Sequence, residues 1–168
     1  MSAAAPQGTS FGPQGTSPGE RAALHATTIV VGEAAIVLRG PSGAGKTALA
    51  LALIEAARRL GLFARLVADD RTLAREAGGR LIVAPHPRIA GRVERRFQGL
   101  GAAEHEGAAV ARLVVDLHPH WDSPGVERLP AEAPFATIAG VRLPRLGLPA
   151  SHRGCVDTIL HAVRNAAP

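Results

Sequence analysis

Short aliphatic and β-branched runs, separated by glycine and proline, recur along most of the chain. Thr28 to Val31 and Ala35 to Arg39 flank Gly32-Glu33, which predicts a hairpin whose second strand runs into Gly40. From Lys46 to Leu60 the sequence is rich in Ala and Leu at helical spacing and closes at Gly61, so a helix is expected there. Arg65 to Ala68 reads as a short apolar strand ending at Asp69-Asp70. Thr72 to Glu76 and Arg80 to Ala84 surround Gly78-Gly79, a second hairpin. Pro85 and Pro87 break the pattern that follows. Ala109 to Leu117 is a strong strand, the stretch from His118 to Pro130 a loop, and Ala136 to Leu148 strand-like with interruptions at Gly140 and Pro144. Val156 to Asn165 completes the pattern as a helix. Strands outnumber helices and several adjacent ones read as hairpins. The expected class is α/β, with a mixed, hairpin-containing sheet and flanking helices.

Residues 1–20 differ from the rest. Pro6-Gln7-Gly8-Thr9-Ser10 recurs as Pro13-Gln14-Gly15-Thr16-Ser17, and the segment has no large aliphatic residue. Such a stretch buries too little to offset its ordering entropy, so it is read as a disordered tail, with residues 21–168 as one folded domain. Hydrophobic content is 46% but aromatics only 3%, so the core must be built from Ala, Val, Leu and Ile. No apolar run approaches the ~20 residues of a membrane span, and no secretory signal pattern opens the chain. The single Cys155 has no partner for a disulfide. Cytoplasmic residence follows as the default. Net charge is +5, yet the arginines are scattered, with only Arg58-Arg59 and Arg95-Arg96 adjacent, and stacking aromatics are few. Nucleic acid is therefore not an expected partner; phosphate ligands or an acidic protein suit the charge better.

Lysine is scarcer than any composition argument predicts. Of 19 basic side chains, Lys46 is the only lysine, and it lies in Gly40-Pro41-Ser42-Gly43-Ala44-Gly45-Lys46-Thr47. That string fits G-x-x-x-x-G-K-[ST], the phosphate-binding loop between a strand and a helix. Gly43 and Gly45 let backbone N–H groups turn toward phosphate oxygens, and the helix N-terminus adds partial positive charge. A compact ammonium reaches those oxygens where a planar guanidinium does not, and Thr47 offers a hydroxyl to Mg²⁺. An acidic doublet, Asp69-Asp70, ends the next strand, where a Mg²⁺-organising residue or a base belongs. Neighbouring carboxylates raise one another's pKa if they share a site. Asp116, at the end of its own apolar strand, competes for the same assignment.

His25, the loop Gly40–Thr47 and Leu66-Val67-Ala68-Asp69-Asp70 together resemble the catalytic domain of HPr kinase/phosphorylase, which phosphorylates a serine of the phosphocarrier HPr and can reverse the reaction. The resemblance spans about residues 22–155. The family's V-A-D-D block is unchanged, and an E-x-R-G-L-G signature corresponds to Glu94-Arg95-Arg96-Phe97-Gln98-Gly99-Leu100-Gly101. The resemblance implies ATP and Mg²⁺ as cofactors, an HPr-like partner and a P-loop kinase fold. Asp70 would be the base, and Thr47, Asp69 and Glu94 would hold Mg²⁺. His25 would orient Asp70 or phosphate, and Arg96 would balance phosphate charge. Family members are commonly hexameric, so a homo-oligomer is implied as well.

Departures are visible too. Ala26 follows His25 where the family has Gly, and Phe97-Gln98 reads as a two-residue insertion. Pro149–Cys155 matches poorly the P-V-R-P-G-R-N stretch tied to phosphorolysis, with Arg153 the nearest counterpart of its arginine, so loss of the reverse reaction is one expectation. The family's N-terminal domain has no counterpart, and the chain reads as a short form carrying the catalytic domain. Two other readings remain open: a small-molecule kinase on the same loop, and a nucleotide-sensing module without transfer.

Overall fold

The computed structural model describes residues 21–95, 99–126 and 134–165. The tail expected at residues 1–20 lies outside these. The first hairpin is present as β1 (Ala22–Val31) and β2 (Ala34–Arg39), with β1 beginning six residues before the run that predicted it. Helix α1 (Lys46–Arg59) follows the glycine-rich loop, and Gly61, at φ 74°, ends it. The amide of Gly61 donates to the carbonyl of Arg58 and that of Leu62 to Ala57, which satisfies carbonyls the last turn would leave orphaned. β3 (Ala64–Ala68), β4 (Arg71–Ala77) and β5 (Arg80–Pro85) come next, the last two as the Gly78-Gly79 hairpin.

Past Pro85 the sequence pattern gave no element, yet a 3₁₀ turn (Pro87–Ile89) and a small ribbon of β6 (Arg92–Arg95) and β7 (Gly99–Ala102) stand there. Four-residue strands offer too few positions for alternation to register. β8 (Ala109–His118) matches its expected run. Gly140 turns the chain between β9 (Phe135–Ile138) and β10 (Val141–Pro149), but Pro144 does not interrupt β10. It falls where β10 stops pairing with β9 and begins pairing with β8, so its missing N–H breaks no ladder. Helix α2 (Cys155–Asn165) is the last element of the described residues.

The sheet is mixed, as expected, and it curls on itself. β1 pairs with β2 along one edge and with β3 and then β4 along the other, all antiparallel. β8 pairs in parallel with β2 on one edge, and on the other with β5 and then, in parallel, with β10. The path β2-β1-β4-β5-β8 therefore returns to β2. Alternation sends the two faces to two cores. Ile29, Ile36, Leu38, Leu113 and Val115 pack with Leu53 of α1 and Ile159 of α2. Val30, Val37, Val67, Leu81, Val83 and Val114 fill the inside of the curl. No described helix is long and apolar enough to cross a membrane.

Parallel pairing of β2, β8 and β10 brings their carboxyl ends to one edge, where Arg39, Asp116 and Gly147 are register partners. Gly147 is needed there because the carbonyl oxygen of Gly125 would lie 1.9 Å from any Cβ it carried. Gly147→Ala is expected to destabilise the domain by about 3 kcal/mol, the upper end for overpacking, read as a fall in the thermal midpoint. Gly107→Ala, where nothing lies within 4 Å of the added carbon and the backbone is not left-handed, meets no such contact and serves as the control.

Candidate active site

The expected strand–loop–helix order holds: β2 enters the loop and α1 leaves it. Gly43 and Gly45 have φ of 79° and 86°, a region open to glycine at little cost, and nothing occupies the space a Cβ would take at either. Gly40, at φ 153°, is pressed against the end of β8, where a Cβ would lie 2.9 Å from the Leu117 carbonyl. No side chain caps the start of α1, and its first turn holds no acidic residue. Its free N–H groups and positive dipole end therefore face the loop's open side, a surface suited to an anion. Pro41, Ser42 and Gly43 are exposed on that side.

Lys46 is the most confined member of the site, at 7% exposure. Its Nζ lies 3.0 Å from the Gly40 carbonyl, 3.1 Å from that of Pro41 and 3.2 Å from His25 Nε2. An ammonium only donates, so Nε2 must present a lone pair and the ring proton sits on Nδ1. Nδ1 is 3.0 Å from Asp70 Oδ1. Lys46, His25 and Asp70 thus form one continuous hydrogen-bonded chain from the loop to the acid. His25, taken from the sequence as orienting either Asp70 or phosphate, is on Asp70.

The acidic doublet divides. β3 and β4 continue one another along β1, with Thr28 opposite Ala68 and His25 opposite Arg71. Ile29 faces Leu66, so Val67 is one extra residue, a bulge that re-aims the strand just before the acids. Asp69 turns inward, at 7% exposure. Its Oδ1 accepts from Thr27 Oγ1 at 2.9 Å and Thr47 Oγ1 at 2.8 Å, and its Oδ2 accepts from the Glu94 amide at 3.1 Å. Asp70 turns outward, with its side chain 72% exposed, on a three-residue turn closed by the Arg71 amide donating to the Asp69 carbonyl at 2.7 Å. Its φ of 61° is in the left-handed region that Asp tolerates better than most residues, a local strain of the kind found at reactive positions. The two carboxylates take different partners, Asp69 two hydroxyls and an amide, Asp70 the His25 imidazole. Asp70, His25, Arg71, Ala23, Leu24 and Ile89 line an open cleft of about 560 Å³.

Glu94 reaches Asp69 through its backbone; its own side chain is exposed on β6. Arg96 and the Phe97-Gln98 insertion lie outside the described residues. Arg153 is exposed on the turn before α2. Among the described residues no three His, Cys, Asp or Glu side chains gather as a metal cage. Magnesium at phosphate sites needs only one or two carboxylates beside phosphate oxygens, which Asp69 and Thr47 fit.

Asp116, the rival of the doublet, has a different role. Arg39 binds it through two nitrogens at 2.7 and 2.8 Å, and Arg145 Nε lies 2.5 Å from its Oδ2. Burial alone would raise its pKa, but the hydrogen bonds and charges of Arg39 and Arg145 outweigh it and hold the carboxyl below its usual value. Beside it, burial pushes the His118 imidazole below its usual value, with Arg145 adding to the effect and Asp116 opposing it. Sequence reasoning missed both arginines, as well as Thr27. The only hint of Thr27 was the Thr27-Thr28 pair in a strand apolar but for these and His25.

No protein-family model matches the chain. It is 27% identical over 148 residues to an HPr kinase/phosphorylase of Chlorobium phaeobacteroides (strain BS1), covering 83% of this chain and 42% of that protein. The chain thus spans less than half the length of that relative. Among solved structures it is similar to the Hpr(Ser) kinase/phosphatase from Coxiella burnetii, with a TM-score of 0.69 and 22% identity over 86% of this chain and 95% of that one. The resemblance read from the motifs is borne out, and so is the α/β kinase-domain fold with its mixed sheet.

Because Asp116 has its carboxyl pKa depressed on folding, its contribution is present above the unfolded value near 3.9 and is lost as pH falls through the folded one. Asp116→Asn is expected to cost roughly 2 kcal/mol at pH 7, discounted for partial exposure of the pair. Denaturant titrations should find the gap between wild type and variant constant from pH 7 to pH 5, and narrowing below pH 4.

Proposed function

We propose that the chain is an ATP-dependent protein serine kinase of the HPr kinase/phosphorylase type, acting on an HPr-like phosphocarrier protein. The observation that carries this reading is the hydrogen-bonded chain from Lys46 through His25 to the exposed Asp70, beside a buried Asp69 that holds Thr47. Such an arrangement suits transfer to an acceptor outside the loop better than nucleotide sensing alone, which needs no exposed acid. The open cleft beside Asp70 suits a side chain on a protein surface better than an enclosed metabolite.

Bound ATP·Mg²⁺ would supply the phosphoryl group and a cation to neutralise its charge. The residues to hold it are Gly40, Pro41, Ser42, Gly43, Ala44, Gly45, Lys46 and Thr47 for phosphate, with Thr47, Asp69 and Glu94 for the metal. Asp69 Oδ2 keeps acceptor capacity beyond the Glu94 amide, which leaves room for that role. Lys46 is held within reach of the loop's open face by acceptors it can exchange for phosphate oxygens. Asp70 accepts the proton of the serine hydroxyl, and His25 Nδ1–H keeps that carboxylate aimed. Arg96 and Arg153 are proposed to balance charge. Catalysis is then mostly positioning and electrostatic stabilisation.

Purified chain, labelled ATP and a phosphocarrier provide the test. Label on the carrier's serine is expected; label on small molecules only, or binding with no turnover, would overturn the reading. Lys46→Ala should abolish transfer. Asp70→Asn keeps the tolerance for a left-handed backbone, so the fold and ATP affinity should persist while the rate falls by about 10²- to 10⁴-fold. Unchanged transfer in that variant would remove Asp70 from the role of base.

A further inference from the structure

We propose that Trp121 is the platform on which the nucleobase stacks, an inference that rests on the nucleotide-binding reading above. The first step is direction. At the carboxyl edge of the sheet the spatial order is β1, β2, β8, β10, with the phosphate loop leaving β2. Asp70, His25 and Asp69 all lie on the β1 side of that loop. A nucleotide whose terminal phosphate faces Asp70 must extend its other end away from β1, over the ends of β8 and β10. Ligands of α/β sheets sit in such crevices beyond the carboxyl ends of parallel strands.

The second step is what stands there. Gly40 touches the backbone of Leu117, so the loop abuts the end of β8, and Trp121 is four residues further on. The residue is 51% exposed although it is the only tryptophan of the chain and could have contributed to a core poor in aromatics. It meets His152, from the turn between β10 and α2, with ring centroids 5.2 Å apart and planes at 74°. In an edge-to-face pair of this kind the partner covers at most one indole face.

The third step is that the platform is held. The Ala150 amide donates to the His118 carbonyl at 2.7 Å, which joins the segments after β8 and β10. The His120 amide donates to Ser123 Oγ at 3.2 Å, and the Ser123 amide returns to the His120 carbonyl at 3.3 Å, bracketing Trp121. Gly125 then packs directly on Gly147. A fixed, half-exposed indole suits a planar aromatic base, and stacking of this kind is indifferent to which base it is.

The chain has one tryptophan and no tyrosine, so intrinsic fluorescence reports on position 121 alone. ATP with Mg²⁺ should quench it saturably. Tripolyphosphate, which has the phosphates without a base, should compete with ATP in calorimetry but leave the emission unchanged. Trp121→Ala should weaken ATP about five- to 150-fold, with Trp121→Phe restoring most of the loss, while tripolyphosphate affinity stays the same. Equal ATP affinity in wild type and Trp121→Ala would overturn the proposal. So would equal quenching by tripolyphosphate, or a Trp121→Ala variant that binds ATP normally but fails to modify the protein acceptor, which would make this an acceptor-docking residue. Failure of both ligands to bind wild type would instead remove the nucleotide reading, and this inference with it.

Discussion

The buried carboxylate of Asp69 is the constraint on which the site depends. It gathers a hydroxyl from β1, a hydroxyl from the first turn of α1 and an amide from β6. Each donor belongs to a different element, so one side chain fixes the loop's helix, the strand that carries His25 and the ribbon that carries Glu94 relative to one another. A carboxylate taken out of water is costly unless its lone pairs are satisfied, and three donors provide that. The same three contacts keep Asp69 turned inward, while its neighbour Asp70 stays open to the cleft.

Two adjacent acids are kept apart by backbone, not by distance along the chain. A bulge at Val67 sets the face that Asp69 takes, and the turn at Asp70, with φ of 61°, reverses the next side chain into the cleft. Strain of this sort costs of order 1–3 kcal/mol and persists only where the surroundings dictate it. Here β3 and β4 are both zipped to β1 on either side of the turn, so neither end can relax without giving up ladder hydrogen bonds.

Much of this was legible in the sequence, and the limits have physical reasons. The hairpins around Gly32-Glu33 and Gly78-Gly79, the helix from Lys46 and the loop before it follow from turn chemistry and local periodicity. His25, Lys46 and Asp70 come together as the family resemblance implied. The closed path of the sheet did not, because it depends on β8 pairing with both β2 and β5 across long separations that no local pattern encodes. Nor did Arg39 and Arg145 on Asp116. In a chain whose positive charge is almost entirely arginine, a structural pair and a solvated charge look alike until the strands are placed. The ribbon of β6 and β7 was hidden by its four-residue strands, and part of the E-x-R-G-L-G counterpart lies beyond the described residues.

That composition finally explains Lys46. Its nitrogen sits nearly buried among three acceptors, two carbonyls of the loop and the His25 lone pair, at 3.0 to 3.2 Å. A tetrahedral ammonium can direct a proton at each. A guanidinium is planar and wider, and its five donors cannot converge on three acceptors drawn from one side. Arginine therefore serves at every other basic position, and lysine is kept where donors must converge in three dimensions. The same ammonium that closes on the loop carbonyls also fixes His25 Nε2, and through the ring its contact with Asp70. The loop and the exposed acid are thus joined through a single shared imidazole.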